Sequence, residues 1–510
     1  MKYKKYFLIF LVFVASIRIL YIWNGPFGLT PDEAHYWEWS RRLDLSYYSK
    51  GPAVAYIIAF FTAIFGDTEF GVRIGAVLAS LVGSVLLYVI TRDVFKSDRA
   101  AFFSALLLNF TPLYSVGSIL MTTDAPFIMA WGLCVYLLRN AVKEESWTYW
   151  YMAGLIAGIG LLSKYTMAMI FPCFFLYLIF IRNDRYWLFR KEPYIALFIS
   201  LIIFSPVIFW NMKYDWVTIK HTMGQAHVEA GIRLSIGSFL EFIGGQVGLL
   251  TPLIFTGLIY GVLKCGLLGY RNNNRDYLLL FFMSAPVLFF FLLKSIQGKV
   301  QGNWAAVGYF TAFIATAGIW DEIYKRYERD KSKGKGVLSL LIFFAFLIGI
   351  TSNILVHYPV LLESIGIKGV RERAPYNRII GWREAGKEIG KVYSEMKREK
   401  DVFIISDTYQ NTSELAFYMP GNPTVYNVYS GNRRMNQYDI WPGYDSFIGR
   451  DGLYIKGGDT DIEQMVADAF DICKREMKEI NSEGRLVRKL TIFRCYNFKG
   501  MEGIEKRWSY

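Results

Sequence analysis

Long apolar runs recur along this chain and constrain it more than any other feature. They are Tyr6–Trp23, Phe70–Ile90, Ala101–Val116, Ala125–Leu138, Trp150–Leu162, Thr166–Ile181, Tyr194–Trp210, Phe239–Leu263, Tyr277–Leu293, Trp304–Ile323 and Val337–Val356. A helix needs about 20 residues to cross the hydrocarbon core, and in lipid only helices or closed barrels satisfy their own backbone. The runs therefore predict a polytopic α-helical membrane protein with about eleven spans. Composition agrees: 19% of residues are charged and 17% aromatic, against about 25% charged in soluble domains. Disorder, collagen, coiled coil and small disulfide scaffolds are excluded.

Charge orients the bundle. The first run follows Lys2, Lys4 and Lys5 and has no small-residue cleavage site after it, so it reads as a retained helix with a cytoplasmic N terminus. Pro52–Phe65 is apolar but short, roughly 21 Å as a helix against a core of about 30 Å. If it does not span, the inner loops carry roughly twice as many Lys and Arg as the outer loops; if it spans, the bias inverts. It is therefore expected to be an interfacial or re-entrant helix inside a first outer loop, 24–69. The net charge of +13 is spread over cytoplasmic loops and forms no single stripe, so no nucleic-acid partner is expected.

Residues 1–356 thus form the membrane domain, and 357–510 a soluble α/β domain on the outer face. In the latter, Val402–Ser406, Thr424–Val428, Leu453–Lys456 and Val487–Phe493 read as strands, and Gly381–Arg398 and Asp461–Lys478 as amphipathic helices. Cys473 and Cys495 lie in this domain, either as a disulfide or as two buried thiols. Cys134, Cys173 and Cys265 read as small core residues. No internal repeat suggests an inverted-repeat transporter.

Distinctive polar residues collect on the outer side. Asp32, Glu33 and Lys50 lie in the first outer loop. Asp124 opens the fourth span and Lys164 closes the fifth. His221, His227, Glu229 and Arg233 follow the seventh, and Gly298–Trp304, with Asn303, precedes the tenth. Each has a plain explanation: an acid after Pro31 favours a helix N terminus, and a lysine at a span end snorkels. Together they set acids and phosphate-capable bases at one depth, which points to chemistry on a headgroup.

Here the sequence resembles the GT-C fold membrane glycosyltransferases, of the dolichyl-phosphate-mannose protein mannosyltransferase and ArnT-like superfamily. The motifs are Pro31-Asp32-Glu33, Tyr47-Tyr48-Ser49-Lys50-Gly51-Pro52, the stretch Phe65–Arg73, Thr123-Asp124-Ala125-Pro126 and Leu162-Ser163-Lys164-Tyr165. Trp210-Asn211, Asp215-Trp216, Gln301-Gly302-Asn303-Trp304, Tyr409-Gln410 and Ser413–Tyr418 continue the match in order. The resemblance implies transfer of a sugar from a polyprenyl-phosphate (undecaprenyl-type) donor to a lipid, glycan or protein acceptor, with inversion. That chemistry belongs at the outer face of the cytoplasmic (inner) membrane, among membrane lipids. It implies Asp32 as general base or acceptor-orienting carboxylate, Glu33 as second candidate, Lys50, Lys164 and Arg233 for the donor phosphate, and Asp124, His227 and Asn303 in support.

Two departures matter. Ser49 stands where ArnT-type relatives often carry an acid before the lysine, and Gly51-Pro52 replaces two prolines. The acid that a metal would use there is missing. Asp32, Asp124 and a histidine would suffice for a divalent ion, but the spacing specifies none. The competing readings are a lipid or sugar transporter and a diphosphate-lipid glycan polymerase or ligase.

Overall fold

The computed structural model describes residues 2–225, 234–429, 433–482 and 484–501. The membrane domain begins with α1 (Lys2–Asn24), α2 (Pro31–Ser40), α3 (Ala53–Phe65), α4 (Glu69–Phe95), α5 (Asp98–Asn109) and α6 (Pro112–Gly117). Then come α7 (Asp124–Lys143), α8 (Trp147–Ser163), α9 (Ile170–Phe180), α10 (Glu192–Lys213), α11 (Val217–Gln225) and α12 (Ile236–Leu250). It closes with α13 (Pro252–Asn272), α14 (Arg275–Phe282), α15 (Ala285–Gln297), α16 (Ala306–Arg329) and α17 (Gly334–His357).

Seven helical stretches among the described residues are long and apolar enough to cross a membrane: α1, α4, α7, α10, α13, α14 with α15, and α17. The chain is a multi-pass membrane protein, and several of the eleven apolar runs are not single straight helices. Ala101–Val116 breaks before Pro112 into α5 and α6, because proline has no N–H to continue the ladder. Phe239–Leu263 is two helices, broken at Thr251 (φ +67°) and Pro252. Thr166–Ile181 opens with a 3₁₀ turn, Tyr165–Met169, before α9. The 13-residue α3 is shorter than a span.

The bundle core surrounds α7 and α16, whose Ala306–Ile319 stretch is buried on every side. Helices α8 and α10 approach through Gly154 and Gly158, four apart on one face. A Cβ on Gly154 would stand 2.4 Å from the Ala196 carbonyl oxygen. This is the close backbone packing that small residues permit in membranes.

After α18 (Val360–Ser364) and α19 (Trp382–Lys397), the C-terminal domain contains β1 (Val402–Ser406), α20 (Tyr409–Tyr418), β2 (Val425–Asn427), β3 (Asp451–Gly457), α21 (Gln464–Asp468), β4 (Phe470–Ser482) and β5 (Arg485–Phe498). The sheet order is β2-β1-β3-β5-β4, with β1 parallel to β2 and β3 and the remaining pairs antiparallel. β1 is buried along its whole length, as its unbroken apolar run requires of a strand covered on both faces.

The helix expected over Asp461–Lys478 is corrected. Only α21 is helical, and β4 pairs along its length with β5. Long-range pairing overrides the local pattern there, and Cys473 and Cys495, opposite each other in register, form a disulfide. The other three cysteines are free and buried.

The C-terminal domain is fused to the first loop by one apolar cluster containing Trp37, Trp39, Val54, Trp382, Ile404 and Leu415. Polar bonds reinforce it. Leu29 N–H donates to the Tyr418 hydroxyl at 2.6 Å, and Tyr418 donates to Glu69 at 2.8 Å. Arg383 grips Glu69 with two bonds of 2.6 and 2.7 Å.

Candidate active site

The site is built on α2. Thr30 caps it: its hydroxyl accepts from Glu33 N–H at 3.2 Å, and the Glu33 carboxylate accepts from Thr30 N–H at 2.9 Å. This reciprocal capping box satisfies donors the helix leaves orphaned. The Glu33 carboxylate also takes two 2.9 Å bonds from Arg73 and one of 3.0 Å from Met121 N–H. Glu33 is fully buried and its acceptor positions are all occupied. It faces the protein, so its placement does not fit the second catalytic role expected of it. Asp32, about 100° further round the helix, faces the other way.

Asp32 lines a cavity of about 760 Å³ between the membrane domain and the C-terminal domain. Lys50, Asp124, Lys164 and Asn303 line the same cavity. Four segments far apart in sequence thus converge on one cavity.

Asp32 is open to the cavity, though enclosed by protein all around. That burial raises its carboxyl above the usual range, while Lys50 and a 3.3 Å hydrogen bond from the Tyr409 hydroxyl oppose the rise. Lys50 is pulled down to about 8, first by burial and then by repulsion from Lys164, with Asp124 and Asp32 acting oppositely. Among the described residues its ammonium has no hydrogen bond or ion pair.

Lys164 follows the end of α8 and pairs with Asp124 at 2.5 Å. The other Asp124 oxygen accepts from the Asn303 amide. Asp124 opens α7, so it also complements that helix's dipole. The loop holding Lys50 reaches this cluster because residue 51 is glycine: a Cβ there would lie 2.1 Å from the Leu162 carbonyl oxygen.

Of the other lining groups, Tyr409 belongs to the Tyr409-Gln410 motif and His221 to the outer-side set read from the sequence, whereas His35, Arg378, Arg434 and Gln437 were not singled out. His35 is buried, and its Nε2 accepts from Trp39 Nε1–H at 3.2 Å. That leaves the proton on Nδ1, and burial lowers the imidazole to about 3, so the ring is neutral. Arg378, Tyr409, Arg434 and Gln437 come from the C-terminal domain. No motif spacing relates Arg378 or Arg434 to Asp32; only the tertiary fold does. His227 and Arg233 lie outside the described residues. His221 lines the cavity and is held near 3, mainly by burial. Among the described residues no three His, Cys, Asp or Glu are grouped so as to hold a metal ion.

A second, apolar cavity of about 230 Å³ adjoins the first. Ser49, Lys50, Lys164 and Lys299 line both, and it continues along Phe290, Phe291 and Trp304. A polar chamber with cations at its edge therefore opens onto an apolar groove.

Comparison with known proteins decides the fold. The structure matches crystalline ArnT from Cupriavidus metallidurans with a TM-score of 0.62 at 16% identity, covering 96% of this chain and 98% of that one. The chain has the GT-C fold. It also matches the archaeal oligosaccharyltransferase AglB from Archaeoglobus fulgidus, with a TM-score of 0.53 at 12% identity over 90% of this chain and 70% of that one. Residues 49–210 match the family model described as dolichyl-phosphate-mannose-protein mannosyltransferase.

Among curated proteins, the lipid A galacturonosyltransferase RgtD of Rhizobium johnstonii is 27% identical over 56% of this chain and 59% of its own length. The undecaprenyl phosphate-alpha-4-amino-4-deoxy-L-arabinose arabinosyl transferase of Erwinia tasmaniensis is 26% identical over 58% of this chain and 56% of its own. The chain thus spans somewhat over half the length of these relatives. The resemblance read from the sequence motifs is borne out.

Proposed function

We propose that this protein is a glycosyltransferase that moves a sugar from a polyprenyl-phosphate donor to an acceptor, with inversion. The observation that carries the reading is that Asp32, Lys50 and Lys164 line one polar cavity, where both lysines also border an apolar groove. A polyprenyl phosphate needs such a junction: the phosphate meets cations while the isoprenoid lies in apolar surroundings. The names of the relatives, which include undecaprenyl-phosphate-sugar and lipid A transferases, support the same class.

The chemistry follows from the geometry. The acceptor hydroxyl oxygen attacks the anomeric carbon on the face opposite the phosphate. Asp32 takes the hydroxyl proton, the new C–O bond forms, and the bond to the phosphate oxygen breaks. Polyprenyl phosphate leaves with the bonding electron pair and gains negative charge, which Lys50 and Lys164 stabilise. Burial raises the Asp32 carboxyl, which makes its carboxylate a stronger base. Asp124 and Asn303 hold Lys164 in place. Arg233 and His227 remain candidates for phosphate contact and support, from the segment after α11. The membrane is the cytoplasmic (inner) one, with the N terminus cytoplasmic and the site on the outer face, as the positive-inside bias indicates.

Asp32→Asn tests this. It keeps shape and removes the base, so transfer should fall about 10²–10⁴-fold, while affinity for undecaprenyl phosphate stays within a few-fold. Near-wild-type turnover by the purified variant with a matched donor and acceptor would sink the assignment. A screen of undecaprenyl-phosphate sugars with the wild-type protein identifies that donor.

A further inference from the structure

Asp32 borders two cavities. The second, about 480 Å³, lies on its far side, between the start of α2 and the C-terminal domain. Asp32, Arg378 and Tyr409 line both cavities and form the partition between them. The donor chamber carries Lys50, Lys164 and the opening to the apolar groove; the far cavity carries none of these. Its polar wall comes from Thr408, Gln410 and Asn411, and its cations are Arg378 and Arg488.

Those cations outnumber the acids that face them. The Arg378 side chain is exposed, and among the described residues it has no hydrogen bond or ion pair. Arg488 lies 3.9 Å above the Trp382 ring and donates only to the carbonyls of Asn377 and Ile380, at 2.9 and 3.0 Å. Its Nε is buried without a partner. The neighbouring acid, Glu414, is fully buried with both oxygens unpaired, and burial drives its carboxyl well above the usual range. The cavity holds two arginines against the single carboxylate of Asp32.

We infer that this far cavity is the acceptor subsite, and that Arg378 and Arg488 select an acceptor whose sugar headgroup carries a phosphate or carboxylate near the reacting hydroxyl. This rests on the transferase reading and adds the side of entry and the acceptor class. A paired-arginine site recognises planar carboxylates and phosphates through forked hydrogen bonds. The mix of polar groups with the apolar faces of Pro375, Ile379 and Trp382 suits a sugar ring, which has hydroxyl edges and an apolar face. An acceptor seated there presents its hydroxyl to Asp32 from the side opposite the donor phosphate, as inversion requires.

The test is binding by titration calorimetry to the full chain in nanodiscs, at fixed ionic strength. The probes are glucosamine 1-phosphate, glucuronate and neutral N-acetylglucosamine, with undecaprenyl phosphate as the donor-side probe. The expected result is that one or both anionic sugars bind and the neutral sugar does not. Arg378→Ala should weaken that binding at least tenfold and Arg378→Glu abolish it, with undecaprenyl phosphate affinity unchanged within twofold. Arg378 is exposed, so these variants should fold; Arg488→Lys supplies a second, milder change. The inference is overturned if Arg378→Glu leaves anionic-sugar binding intact, if Lys164→Ala alone removes it, or if the sugars fail to bind while undecaprenyl phosphate binds. Failure of wild type to bind undecaprenyl phosphate as well would instead overturn the transferase reading itself.

Discussion

Lys50 carries a titration consequence of the cavity. Held near 8 mainly by burial, it is protonated below that pH and loses its charge as pH rises through it. Affinity for undecaprenyl phosphate should therefore fall several-fold between pH 7 and pH 9. Lys50→Arg, whose guanidinium does not titrate there, should flatten the profile; an unchanged slope in that variant would rule Lys50 out as the cause. The lysine was legible in the sequence because a charge beside an apolar run is costly and so conspicuous. The Asp32–Glu33 pair shows how far such reading reaches. Two explanations competed for it, helix capping and catalysis, and the structure separates the neighbours: Glu33 caps and binds Arg73, while Asp32 faces the cavity. Sequence periodicity told the two apart in direction, but not which direction was the cavity. Arg378 was not legible at all, because its proximity to Asp32 is made by packing a distant domain onto α2.

At the scale of elements, the orientation of α2 depends on the buried Glu33–Arg73 pair linking it to α4. Removing one partner leaves a buried charge unpaired, which costs about 3–5 kcal/mol. Arg73→Ala should therefore lower the unfolding temperature of the purified protein clearly. Activity should fall too, because α2 carries Asp32. A Glu33→Gln/Arg73→Met double change should recover part of the loss by removing both charges. A double variant no more stable than Arg73→Ala would show that the pair is not what fixes the helix. Elements were readable where one local signal dominated: the continuous apolar run of β1, and α19, whose Gly381–Arg398 pattern became Trp382–Lys397. β4 was misread because its charged, alternating residues fit a helix face nearly as well as an exposed strand. Pairing with β5 decided it, and no local pattern encodes that. Likewise, Pro252 split a run that hydropathy alone joined.

For the whole molecule, the question is what keeps the C-terminal domain over the site, since Tyr409 and Arg378 reach Asp32 only from there. Glu69, at the start of α4, is the polar centre of that junction: it accepts from Arg383 and Tyr418, and Arg73 lies 3.9 Å away. The surrounding apolar cluster is large, so loss of Glu69 should loosen the junction without detaching the domain. Glu69→Gln removes the charge that Arg383 and Arg73 share, while leaving an acceptor for Tyr418. Hydrogen exchange should then quicken across Trp382–Lys397 and Tyr409–Tyr418, with β4 and β5 unaffected. Transfer should fall because the partition around Asp32 becomes mobile, whereas undecaprenyl phosphate, for which the proposed contacts are Lys50 and Lys164 of the membrane domain, should bind as before. Exchange confined to the wild-type pattern, or loss of donor binding equal to the loss of transfer, would mean that the domain junction does not set the geometry of the acceptor side.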